Sequence, residues 1–306
     1  DIAQPKCFYV LDELRKRARI PIWHDDQQGT AAVTLAGLIN ALKIVGKKMN
    51  EVKVAMVGAG ASNVRIAHLI IAAGVEPGNI IMCDSKGTLH RERDDLKEKF
   101  KEKWELAQMT NAKMVKGGIP EAMKGADVLI ALSKPGPDVI KKEWIADMAK
   151  DPIVFACANP VPEIFPWDAK DAGAKIVATG RSDFPNQINN SLGFPGIFRG
   201  TLDVFAKTIT DEMCIAAAEA LAKCAEEKGL HEEYIVPKMD EWEVFPKESV
   251  AVALKAIEQG VARRTFSAEE LFRMAEEKIR RAREETHLLM EKGIIKAVPP
   301  ELDKDD

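Results

Sequence analysis

The chain has 306 residues, of which 46% are hydrophobic and 30% are charged. This balance is typical of a soluble globular protein, and the length suffices for about two domains. The formal net charge of −4 argues against a nucleic-acid partner, because nucleic-acid-binding domains usually carry a basic excess. Five scattered cysteines without a Cys-x-x-Cys pair favour reduced thiols in a cytoplasmic protein.

Two helices are predicted before the first strand. Polar residues with regularly spaced apolar ones predict a short surface helix over residues 8–19. Apolar residues then nearly surround a second helix, for which Thr30 is the predicted N-cap and Gly46 the predicted C-terminal stop. Asn40 and Lys43 interrupt this segment, and a bilayer span needs about 20 apolar residues. It is therefore interpreted as a buried helix, and no membrane association is predicted.

Five apolar runs then predict the strands of a parallel sheet, at residues 52–57, 80–83, 127–131, 153–156 and 176–178. Helical stretches separate most of them, and this alternation is typical of a doubly wound α/β fold. The charge-dense stretch 91–103 is interpreted as a solvated helix face. After residue 190 the strands stop, and helices are predicted at 210–228, 248–263 and 267–292. We expect the chain ends to form a second, mostly helical domain.

The turn after the first predicted strand reads Gly-Ala-Gly-Ala-Ser-Asn over residues 58–63. A first glycine permits a tight turn, a second lets the backbone approach a pyrophosphate, and the next helix directs free N–H groups at the phosphates. This context predicts a Rossmann-type dinucleotide site with contacts from Gly58, Gly60, Ala61 and Ser62. The third fingerprint position is Asn63 instead of Gly or Ala, which we expect to weaken helix–strand packing. The alternative is an ordinary glycine turn of an α/β domain.

Asp84 ends the second predicted strand. A carboxylate at this position of the Rossmann fold accepts hydrogen bonds from the adenosine ribose hydroxyls. Because its charge would repel a 2′-phosphate, Asp84 favours NAD as the cofactor. Lys86 lies two residues further on and would reduce that repulsion, which leaves NADP possible.

Two adjacent carboxylates, Asp25 and Asp26, precede the buried helix. Neighbouring side chains at such a junction point in different directions, so one can bind a cation while the other forms hydrogen bonds. Mg²⁺ and Mn²⁺ prefer oxygen ligands in octahedral geometry. The alternative interpretation is an acidic loop that caps the helix.

Asparagines follow the fourth and fifth predicted strands. Asn159 lies just after the fourth strand, and Asn189 and Asn190 lie past the fifth. Ligands collect at the carboxyl ends of parallel strands, where an amide can donate to a substrate carboxylate without adding a charge. Taken singly, each is more simply explained as a turn residue.

Together these segments resemble the malic enzyme family over nearly the whole chain. The segment 237–246 also resembles the C-terminal region of bacterial and archaeal members. The other ordered motifs that carry the resemblance are Asp-Ile-Ala-Gln-Pro-Lys-Cys-Phe at 1–8, His-Asp-Asp-Gln-Gln-Gly-Thr-Ala at 24–31, Gly-Ala-Gly-Ala at 58–61, Ala-Asn-Pro at 158–160, Asn-Asn at 189–190 and Phe-Pro-Gly at 194–196.

The resemblance implies oxidative decarboxylation of (S)-malate to pyruvate and CO₂, with reduction of NAD(P)⁺ and dependence on Mg²⁺ or Mn²⁺. It implies that Asp1 and Asp26 are metal ligands and that Asp25 belongs to the catalytic hydrogen-bond network. The family's general-acid Tyr, general-base Lys and a further metal-binding Glu precede the motif that contains Asp1. We therefore expect the chain to be part of a longer one and to turn over poorly if it is complete.

The resemblance further implies that Asn159 and Asn189 bind the malate carboxylates, with Asn190 beside them. Thr30 and Asn159 are also predicted to contact the cofactor. Residues 1–25 should belong to the substrate and metal domain, 26–189 to the dinucleotide-binding domain, and 190–306 to the helical part that completes the substrate domain. The family implies a homodimer or tetramer.

Two other functions stay open. One is a metal-free NAD-dependent dehydrogenase of a small hydroxy or amino acid. The other is a non-catalytic module or fragment that only binds a dinucleotide.

Overall fold

The computed structural model describes residues 2–296, so Asp1, a predicted metal ligand, lies outside the described residues. The helices are α1 Lys6–Arg17, α2 Asp25–Val45, α3 Ala61–Ala72, α4 Lys101–Met109, α5 Ile119–Met123, α6 Lys142–Ala146, α7 Pro166–Asp171, α8 Phe194–Asp203, α9 Asp211–Lys228, α10 Val244–Glu258 and α11 Ala268–Glu291. The strands are β1 Val54–Val57, β2 Ile80–Asp84, β3 Gly87–Thr88, β4 Val128–Ala131, β5 Ile153–Ala156 and β6 Ile176–Thr179.

The strands form one sheet in the order β3-β2-β1-β4-β5-β6. All neighbours pair in parallel except β3, which returns antiparallel along the end of β2. The five predicted strands and the parallel sheet are thus confirmed, and only the two-residue β3 was not predicted. The strand order reverses between β1 and β4, and this is where a doubly wound sheet opens a ligand crevice at its carboxyl edge.

Helices cover both faces of the sheet. Strands β1, β4, β5 and β6 are buried along their whole length, which explains their continuous apolar sequences. In β1, Val54 and Met56 pack into one apolar cluster while Ala55 and Val57 pack into the other. The first cluster continues into α2, α3 and the C-terminal helices, and the second contains residues of α5, α6 and α7. The predicted Rossmann-type α/β class is therefore confirmed.

Helix α2 begins earlier than predicted. Its first residue is Asp25, so the prediction of Thr30 as the N-cap is wrong. Asp25 and Asp26 form the acidic first turn, where carboxylates stabilise the positive end of the helix dipole. Gly46 ends the helix in the left-handed conformation, as predicted. By length and composition α2 could cross a membrane, but 78% of its most apolar window is buried within the protein, which confirms the predicted core helix.

The three predicted C-terminal helices are present as α9, α10 and α11. Helix α10 begins at Val244, ahead of the predicted position, because Pro246 is tolerated in a first helical turn. The five cysteines are free and buried. The division of the chain at residues 25 and 189 stays a prediction, since a single apolar cluster spans the sheet face and the C-terminal helices.

Candidate functional site

The glycine turn lies in the crevice between β1 and β4. Gly58 has a φ of +96°, and a Cβ atom there would collide with the carbonyl oxygen of Leu132 and stand 3.1 Å from the Cα of Ser133. Only glycine fits both the conformation and this close approach. Gly60 is the N-cap of α3 and provides no side-chain cap, so the N–H groups of the first turn point freely into the crevice. This geometry suits a pyrophosphate.

Asn63 fastens α3 to the turn. Its buried side-chain Nδ2 donates to the carbonyl oxygens of Val57 and Gly58, each at 2.9 Å. We had expected Asn63 to weaken the contact between helix and strand, and that expectation is wrong. The side chain supplies hydrogen bonds where a smaller residue would allow only close packing.

Asp84 lies at the end of β2 as predicted, but its carboxylate is already paired. Arg93 Nη2 lies 3.1 Å from Asp84 Oδ2, and Lys103 Nζ lies 3.7 Å from the same atom. The backbone N–H of Lys86 donates to Oδ1 at 2.9 Å. The cations therefore neutralise the charge that was the argument for NAD. The stretch 91–103 is largely exposed, as expected, but it becomes an α-helix only at Lys101. Arg93 and Lys103 are the exceptions to its exposure, because their side chains are only 12% and 15% exposed.

Asp25 is the more enclosed carboxylate of the acidic pair. The indole Nε1 of Trp23 donates to its Oδ1 at 3.0 Å. Burial raises the pKa of Asp25, the Trp23 hydrogen bond opposes that shift, and the adjacent charge of Asp26 adds to it. Asp26 itself is exposed. Thr30 stands one turn beyond Asp26 on the same face of α2, so a ligand that contacts Asp26 passes near Thr30.

Gly29 brings the acidic pair next to the paired asparagines. A Cβ at this position would collide with Asp25 Oδ1 and stand 3.0 Å from the Cβ of Asn190. The side chains of Asp25 and Asn190 therefore flank a position that only glycine leaves open. Gly29 belongs to the motif at 24–31, but the sequence did not reveal its spacing role.

The predicted substrate amides are also linked. Asn189 Nδ2 donates to the carbonyl oxygen of Gly180 at 3.1 Å, and its Oδ1 accepts from Ser191 N at 3.0 Å. A Cβ on Gly180 would stand 3.0 Å from Asn159 Nδ2, so this glycine packs against the Asn159 side chain. Asp25 and Asn190 thus border Gly29, Asn189 and Asn159 border Gly180, and the adjacent positions of Asn189 and Asn190 bring the two pairs together. The predicted malate site requires this arrangement, while the individual ligand roles stay predictions.

The described residues do not form a metal centre by themselves. Within residues 2–296, no group of three His, Cys, Asp or Glu side chains is arranged to hold an ion. Asp26 is exposed, and Asp25 is engaged by Trp23. The donor set is therefore incomplete, and the ligand roles of Asp26 and Asp1 stay predictions.

Sequence reasoning missed several residues at this edge of the sheet. Arg93 and Lys103 were interpreted as surface charges, and Trp23 was assigned no role. Glu163 lies in the segment after β5 and was assigned no role, because an acidic residue is normally exposed and no local signal marked this one as buried. It is completely buried, and its carboxylate accepts from Ser133 and Ala158.

The fold and the turn define this chain as a dinucleotide-binding protein of the Rossmann class. The family model "Malic enzyme, NAD binding domain" matches residues 27–261. The chain therefore belongs to the malic enzyme family, and the resemblance seen in the sequence is confirmed.

Known proteins of this family are similar to the chain over most of its length. The bifunctional malic/malolactic enzyme of Bacillus subtilis is 49% identical over 271 residues, which cover 89% of this chain and 65% of that protein. The NAD-dependent malic enzyme of Geobacillus stearothermophilus is 46% identical, over 86% of this chain and 54% of that protein. The crystal structure of the Entamoeba histolytica malic enzyme superposes with a TM-score of 0.96 at 53% identity, over 98% of this chain and 62% of that one. The chain thus spans 54 to 65% of the length of these proteins.

Proposed function

We propose that this chain contributes the cofactor site and part of the malate site of an enzyme that converts (S)-malate to pyruvate and CO₂ with NAD(P)⁺. One observation carries the proposal: Asp25 and Asn190 border Gly29, and Asn189 and Asn159 border Gly180, which follows β6 at the carboxyl edge of a dinucleotide fold. Family membership and relatives that are named malic enzymes support the same reaction.

The cofactor and the residues of this chain have separate roles in the proposed reaction. NAD(P)⁺ supplies the hydride acceptor for C2 of malate when it is bound. The free N–H groups at the start of α3 hold its pyrophosphate. Asn189 keeps a second N–H for a malate carboxylate, because only one is used on Gly180. Asp25 accepts a hydrogen bond from Trp23 and borders Gly29 together with Asn190. It would belong to the hydrogen-bond network around the malate hydroxyl, whose proton would pass to the family's general-base Lys in the preceding segment.

The cofactor preference is proposed to include NADP. A bare Asp84 would repel a 2′-phosphate, but Arg93 and Lys103 surround this carboxylate. An open cleft of about 490 Å³ adjoins it and is lined by Lys86, His90 and Arg93 among others. A ribose hydroxyl would have to reach a carboxylate that is only 8% exposed, so the ribose role of Asp84 needs a direct test. We expect Asp84→Ala to weaken NAD use more than NADP use; an equal loss would contradict the ribose assignment.

Mg²⁺ or Mn²⁺ dependence is also part of the proposal, with Asp26 as the ligand from the described residues. Calorimetric titration of the chain with Mn²⁺ tests it directly, comparing wild type, Asp26→Asn and Asp12→Asn. The last variant removes an exposed carboxylate on α1 and serves as the control. Unchanged Mn²⁺ affinity in Asp26→Asn would exclude the ligand role. Homo-oligomer formation and a cytoplasmic location stay predictions.

The decisive assay measures malate-dependent reduction of NAD⁺ and NADP⁺ together with release of CO₂ and pyruvate. Reduction and CO₂ release in equal amounts would support the proposal. Reduction without CO₂, insensitive to chelators, would favour the metal-free dehydrogenase. Tight cofactor binding without reduction, by this chain and by a longer form carrying the family's N-terminal segment, would favour the non-catalytic module.

A further inference from the structure

Glu163 is a buried carboxylate that the proposed reaction does not use. Its side chain has no exposed surface. Oε1 accepts hydrogen bonds from the backbone N of Ser133 at 2.7 Å and from Ser133 Oγ at 3.1 Å, while Oε2 accepts from Ala158 N at 3.0 Å. One side chain thus connects the loop after β4 to the loop after β5.

Main-chain hydrogen bonds reinforce this connection. The N–H of Ile140 donates to the carbonyl oxygen of Glu163 at 3.1 Å, and the N–H of Gly136 donates to that of Val161 at 3.3 Å. The loop after β4 and the loop after β5 therefore form one unit along the carboxyl edge of the sheet. Burial of a carboxylate is costly, and the pKa of Glu163 is raised by it, so the group persists because its hydrogen bonds offset that cost.

The joined loops border the site on two sides. Ser133 stands against Gly58, the first glycine of the phosphate turn. Ala158 immediately precedes Asn159, whose side chain packs on Gly180. In a dinucleotide fold, one mononucleotide lies over the first three strands and the other over the last three. The two loops follow β4 and β5, which belong to the second half of the sheet. The nicotinamide part of the cofactor would lie over this half.

We propose that Glu163 is a positioning residue that fixes the two loops of the nicotinamide half of the site. The inference rests on the proposed dinucleotide function. A carboxylate that only stabilised the fold would affect both halves alike, whereas a positioning residue of one half affects the ligand that occupies that half. ADP occupies only the adenosine half, and NADH occupies both, so the ratio of their affinities reports the difference.

The test is calorimetric titration of the full chain with NADH and with ADP, comparing wild type with Glu163→Gln. Glutamine keeps the size but turns one acceptor into an NH₂ group, so a donor faces either Ala158 N–H or Ser133 N–H. We expect NADH affinity to fall roughly tenfold while ADP affinity stays within about twofold. Glu248→Gln is the matched control, because Glu248 is equally buried but packs against α8; both affinities should be unchanged.

An equal loss of affinity for NADH and for ADP, or no change in either affinity, would overturn the proposal. If Glu163→Gln fails to fold, Ser133→Ala replaces it, because this change removes one of the hydrogen bonds and keeps the backbone one. The ratio of NADH affinity to ADP affinity should then fall roughly threefold, and an unchanged ratio of affinities would overturn the proposal. A wild-type chain that binds neither ligand would instead refute the proposed function, so the two failures are distinguishable.

Discussion

Replacing Asn63 with Ala tests how α3 is attached to the phosphate turn. The change removes hydrogen bonds to the carbonyl oxygens of Val57 and Gly58, both 2.9 Å long. At about 1 kcal/mol each, they contribute about 2 kcal/mol. Two gains reduce this loss: alanine has the higher helix propensity, by roughly 0.5 kcal/mol, and the buried Asn63 Oδ1, which has no partner among the described residues, disappears. The net destabilisation should be about 1 to 2 kcal/mol.

Urea denaturation measures this difference, and a thermal melt should show a Tm lower by roughly 2 to 3 °C. NAD affinity should fall several-fold as well, because the turn loses its support. The exposed Asn50 provides a control, since Asn50→Ala should change neither quantity. If Asn63 were only a poor substitute for Gly or Ala, the alanine variant would be as stable as wild type or more stable. That result would refute the reasoning.

Three further predictions concern the cofactor cleft, the turn and a buried acid. Arg93→Ala should expose the charge of Asp84 and shift the NAD-to-NADP affinity ratio roughly tenfold toward NAD; an equal loss for both cofactors would contradict this. Gly58→Ala should abolish detectable NAD binding, since its Cβ collides with Leu132, whereas binding within about twofold of wild type would show that the turn is not the cofactor site. Burial raises the pKa of Glu248 well above 4.5, so its stabilising contribution is complete below about pH 4.5 and is lost as the pH rises through the raised pKa. The Tm of wild type should therefore fall relative to the Tm of Glu248→Gln between pH 5 and pH 9. A constant Tm difference would show that Glu248 does not titrate in this way.

The sequence was sufficient where the determining interactions are local. Continuous buried apolar runs predicted β1, β2, β4, β5 and β6 because a strand covered on both faces excludes polar residues. The glycine turn was recognisable because its residues act within one short segment. The core position of α2 followed from apolar residues on all its sides.

The predicted start of α2 was wrong, although the signals that determine it lie in neighbouring residues. Two signals competed: a threonine suitable as a cap, and an acidic pair suitable for a first turn. In the structure the helix begins at Asp25, whose carboxylate also accepts a hydrogen bond from Trp23. Such choices depend on small free-energy differences that neighbouring contacts overturn.

The sequence alone determined that this is a doubly wound dinucleotide fold, and it placed Asp84 and the asparagines at or after the ends of the strands of its sheet. Only the tertiary structure decided what each of these side chains touches. Arg93 and Lys103 neutralise Asp84, Asn63 anchors a helix, and Glu163 connects two loops. The physical reason is that hydrogen bonds and ion pairs act over about 3 to 4 Å. Residues distant in the chain come that close only after the strand order has been set.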